Sequence, residues 1–115
     1  MLKEARLDQR EKVESLRNRV REDERSLQEF EERTNRQKQR VDAQIANGAL
    51  AGRNKQQALQ LLEGEFHELE SRKKWLSHQQ GILQKREKFL DKLEKYTEDQ
   101  MQQMEAFKKI SQEHS

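Results

Sequence analysis

Apolar residues recur every seven positions in two separate stretches of the chain. Leu62, Leu69, Leu76, Leu83 and Leu90 form one ladder, and Val13, Val20, Leu27, Thr34 and Val41 form another. A seven-residue repeat marks an α-helix that buries one narrow seam against a second helix. The stretch between the ladders, Ala46-Asn47-Gly48-Ala49, is the one that reads as a turn, because glycine accepts the left-handed backbone that ends a helix. The pattern therefore predicts an all-α protein. It is a single two-helix antiparallel coiled-coil hairpin over 1–115, with helix one at about 2–46, a turn at about 47–50 and a longer helix two at about 51–112.

The ladders also carry an expected register. With the first ladder at heptad position a, position d of helix one falls on Leu16, Asp23, Phe30, Gln37 and Gln44. With the leucines at d of helix two, position a falls on Leu59, Phe66, Lys73, Gln80 and Glu87. Antiparallel helices stack a against d, and centring the reversal on Gly48 gives the layers Val13–Leu83, Val20–Leu76, Leu27–Leu69 and Thr34–Leu62. Phe30 then meets Phe66, and Asp23 meets Lys73. A polar pair inside an apolar seam costs stability and fixes alignment, so Asp23 and Lys73 read as a register pin. At ~1.5 Å per residue the two helices would run about 70 Å and 90 Å, leaving the end of helix two from about residue 95 without a partner helix.

A second apolar row lies on helix two. Trp75, Ile82, Phe89 and Tyr96 repeat every seven residues beside the leucines, Leu93 and Phe107 fall next to them, and Ile110 rejoins the row. Met101 and Met104 add apolar side chains to the same end. One narrow seam against one partner helix cannot cover both rows. Two readings follow: the row widens the core, or it contacts another protein or a second copy, as exposed aromatic patches do.

Composition supports long helices and narrows the chemistry. Charged residues make up 40% of the chain and hydrophobic ones 30%, with no proline and no cysteine. Twenty-four basic residues balance twenty-two acidic ones, for a net charge of +2. That balance lacks the basic face that a phosphate backbone demands, so no nucleic-acid partner is expected. Helix one favours arginine, including Arg6 and Arg10, which can pair bidentately with carboxylates of an acidic partner. No apolar run reaches the ~20 residues needed to cross a bilayer, and Met1 to Arg6 holds no apolar core of a signal peptide. A cytoplasmic protein without membrane insertion is the expectation.

Catalytic constellations are missing from the pattern. Gly48, Gly52, Gly64 and Gly81 are isolated and form no phosphate loop. His67, His78 and His114 are far apart, and His67 among Glu63, Glu65, Glu68 and Glu70 reads as a charged helix surface. Neither a metal nor a cofactor is expected, and no catalytic residue. The chain reads as a non-enzyme.

The segment Leu69-Glu70-Ser71-Arg72-Lys73-Lys74-Trp75-Leu76, followed by Gln79 and Gln80, resembles the Gln- and Trp-bearing second helix of the FliJ/YscO family. A small proline-free hairpin with an extended apolar end is similar to those proteins over most of the chain. The resemblance implies a coiled-coil stalk of a type III secretion or flagellar export ATPase. Such a stalk has its termini in the central hole of a hexameric ring, where it promotes ring assembly and ATP turnover. It also implies protein partners: the hexameric ATPase, with export-gate or chaperone proteins beside it. The contact surface would be residues 97–115 and the Arg-rich start of helix one. The other reading is a stand-alone scaffold or secretion chaperone that dimerises into a four-helix bundle.

Overall fold

The computed structural model describes residues 2–113, with side chains from residue 4 onward. Two helices account for nearly all of them: α1, Leu2–Ala46, and α2, Gly52–Glu113. The fold is an all-α helical hairpin with the longer helix second. With no proline, nothing interrupts either helix, and α2 carries Gly64 and Gly81 in its interior without a break.

The reversal is built by glycines and one asparagine. Gly48 has φ of 80° and Gly52 has φ of 60°, the left-handed region in which a Cβ would be strained. The last carbonyls of α1 find donors in the turn: the Leu50 amide donates to Gln44 at 3.0 Å and the Gly48 amide to Ile45 at 3.2 Å. The Asn47 side chain closes the loop by accepting from the Ala49 amide at 2.9 Å. The turn runs to Ala51, so α2 begins at Gly52 rather than at 51.

Backbone proximity groups the chain into two compact units, each drawing one stretch from each helix. Arg19–Gln80 form the turn unit, and the described residues of 2–18 with 81–113 form the terminal unit. In the turn unit the seam consists of Val20, Thr34 and Val41 on α1 and Leu62, Leu69 and Leu76 on α2, all buried. In the terminal unit, Val13 and Leu16 are buried on α1. Leu83 and Leu90 are half-buried on α2, and Thr97, one heptad further, is buried and extends the leucine ladder. Its hydroxyl donates to the Leu93 carbonyl at 2.8 Å, which satisfies the polar group inside the helix and lets a threonine sit in an apolar row.

The expected pairing of Asp23 with Lys73 is corrected by the polar contacts. In the turn unit, Lys73 does not meet Asp23: its ammonium pairs with Glu31 at 3.2 Å and with Glu70 of its own helix at 4.0 Å. The Gln80 amide donates to Glu24 at 2.9 Å. In the terminal unit, Arg17 pairs with Glu87 at 3.5 Å and Arg10 pairs with Glu94. Lys73, Gln80, Glu87 and Glu94 are thus a flanking row, not core position a, and their partners are all at position e of α1. Asp23 lies instead at the level of Leu76, where both line one groove with Leu27, Arg72 and Trp75. Phe30, expected against Phe66, has its ring contacts with guanidinium groups, Arg72 at 4.3 Å from its centre and Arg33 at 5.9 Å.

The physical reason is reach. Helical side chains lean toward the N-terminus of their own helix, so long charged residues of antiparallel helices meet ahead of the level of their Cα atoms. A lysine or glutamate on the flank keeps its head in water while its stem covers the seam, and this costs less than burying Asp23 with Lys73. The signs are readable along the chain: Arg10, Arg17, Glu24 and Glu31 are matched in reverse order by Glu94, Glu87, Gln80 and Lys73.

Candidate docking surface

Of the residues singled out for partner contact, those beyond the seam stand clear of it. Trp75 in the turn unit is 60% exposed. In the terminal unit, Phe89 and Tyr96 are more than half exposed, as are Met101, Met104, Phe107 and Ile110, with Phe107 reaching 73%. Ile82 and Leu93 differ: both are half-buried, because they border the ladder and lean against it. They form the floor of the aromatic row rather than its crest.

Within α2 of the terminal unit the change comes after Thr97. Gln100 is half-buried, and from Met101 to Glu113 every residue is exposed. A helix with this many apolar side chains in water has no seam of its own to hold it, since amphipathic helices draw most of their stability from a buried face. Shallow depressions on this segment are lined by Met101, Met104, Phe107 and Lys108, with Glu105 beside Lys108 in one and Gln100 and Gln103 in the other.

The arginines of α1 take different roles. Arg10 is committed to Glu94 and so belongs to the flank of the hairpin. Arg6 is half-buried, and its buried Nε has no hydrogen-bond partner among the described residues. Arg33, Arg36 and Arg40, which the sequence did not distinguish from the other arginines, share one exposed face of α1 with Glu29 and Gln37. The signal for them was their spacing of three and four residues, which puts them on one side of a helix.

Among the described residues no group of three His, Cys, Asp or Glu side chains is placed to hold a metal ion, and His114 lies outside those residues. No described helix is long and apolar enough to cross a membrane. The arrangement presents graded apolar contact and ion pairs. The chain matches no protein-family profile, no curated protein and no solved structure.

Proposed function

We propose that this chain is a non-enzymatic coiled-coil stalk or adaptor that works by docking onto a larger protein, namely the hexameric ATPase of a type III secretion or flagellar export system in the cytoplasm. One observation carries the docking: α2 continues beyond Thr97 with all of residues 101–113 exposed, and four of these are large apolar side chains. Apolar side chains aligned on one helix fit the apolar wall of a ring or groove, in the manner of helix-in-groove recognition. The link to an export ATPase comes from the resemblance of Leu69 to Leu76, and of the hairpin form, to the FliJ/YscO family.

A rod inside a six-subunit ring touches each subunit differently. It would therefore bias the ring toward one assembled, turning-over state while hydrolysing nothing itself, its binding energy being spent on the state it fits best. The test is the turnover of a purified hexameric export ATPase with and without the chain. Stimulation is expected from the native chain, with loss of at least tenfold in its potency for Met104→Ser with Phe107→Ser at unchanged helix content. Absent stimulation, or full potency of that variant, overturns the proposal.

A further inference from the structure

Residues 82–110 of α2 carry an apolar row outside the hairpin seam and, on the side of that row away from α1, a line of exposed charges. The row is Ile82, Phe89, Leu93, Tyr96, Phe107 and Ile110. The line follows at heptad spacing: Lys85, Lys92 and Asp99, all exposed. Because the sign changes within one line, the surface is complementary to itself when reversed. That property belongs to isologous contacts, in which one patch meets its own copy across a two-fold axis.

We infer that two copies of the chain pair antiparallel through this face, with Leu93 of one copy opposite Tyr96 of the other and Lys92 beside Asp99. The inference rests on the reading of this face as a docking surface and names a second occupant for it. Three features select the arrangement. First, in this register Phe107 lies against Ile82 of the second copy, Phe89 and Ile110 lie opposite the uncharged Gln100 and Gln79, and Arg86 lies opposite the neutral Gln103. Second, sliding by one heptad brings Lys92 onto Lys92 beside two Lys85–Asp99 contacts, or Asp99 onto Asp99 beside two Lys85–Glu113 contacts, so the stated register alone gains two opposite-charge contacts without a like-charge one on the axis. Third, a parallel in-register pair would stack Arg86 on Arg86 in the seam.

By symmetry the Lys92–Asp99 contact forms twice, so its effect on affinity is doubled. The leucine ladder faces α1 in the terminal unit and is not consumed. Pairing covers Phe89, Tyr96 and Phe107, so it competes with any larger partner for the same side chains. The free protein would hold its docking face closed on itself, and the partner would have to open the pair.

Sedimentation equilibrium of the full chain, with Lys92→Glu, Asp99→Lys and the double variant, tests this. The native chain should form a dimer. Each single reversal sets like charges together twice and should weaken it by roughly tenfold, while the double variant should return to within roughly threefold of native. These sites are exposed, so helix content measured by circular dichroism should stay the same in all four proteins. A monomer at every concentration, or a larger oligomer, overturns the pairing. A dimer indifferent to the single reversals, or one that the double variant fails to restore, overturns the register. Failure of the pairing leaves the docking proposal standing, because ATPase stimulation is read in its own assay.

Discussion

Residues 83–97 and 101–113 are consecutive parts of one helix in one unit, and they differ in what lies beside them. The first stretch leans Leu83, Leu90 and Thr97 toward α1 and sends Glu87 and Glu94 to Arg17 and Arg10. The second has apolar residues of similar size, Met104 and Phe107 among them, and buries none. Local sequence makes both stretches helical, and the partner helix makes one of them a scaffold. An apolar side chain contributes stability only where something removes it from water, which is why the second stretch is free to contribute to binding instead.

The sharpest way to break this contrast is to charge the seam. Val13 is 1% exposed, so Val13→Asp would bury a carboxylate with no partner. It should lower the stability of the terminal unit by about 3–5 kcal/mol in urea denaturation, whereas Phe107→Ser should change it by less than ~0.5 kcal/mol. Equal losses would mean that residues 101–113 are part of the fold. Hydrogen exchange measures the same contrast in the native chain. Amides of 83–97 should be protected at least a hundredfold more than those of 101–113, which have no buried face to resist opening.

Smaller effects sharpen the picture along α2. A Cβ built at Gly64 or Gly81 meets nothing within 4 Å, and both residues are helical, so Gly64→Ala and Gly81→Ala should each stabilise by about 1 kcal/mol. At Gly48, where φ is 80°, the same substitution should instead destabilise by about 1 kcal/mol. Smallest is the flank: a double-mutant cycle on Arg10 and Glu94 should return ~0.2–1 kcal/mol, because both side chains are at least a third exposed, and 0.5 M salt should reduce it. A larger, salt-insensitive coupling would place this pair in the core.

Much of the fold was legible in the chain, and the candidate surface in part. The ladders, the lack of proline and Gly48 located two helices and a reversal, because helix periodicity and left-handed turns are local properties. The pairing of Asp23 with Lys73 was not legible, because Lys73 goes to Glu31. The leucine ladder suits position a as well as position d, and one helix alone does not say which neighbouring row faces its partner. The charge order of Arg10, Arg17, Glu24 and Glu31 against Glu94, Glu87, Gln80 and Lys73 held the answer, but only as a relation between residues up to 84 positions apart. The heptad spacing of Ile82 and Leu93 is likewise plain in the chain, yet their half-burial depends on how far the ladder side leans over them.

Residue order alone decided that this protein is helical, where it turns and which side chains are apolar, since these follow from backbone preference and a period close to 3.6. Folding decided which apolar residues are covered. Burial is a property of two surfaces meeting: Thr97 is buried and Phe107 exposed because α1 lies beside one and not the other. It also decided that Lys73 belongs to Glu31, because a charged side chain on a flexible stem settles where its head stays wet and its partner is within reach.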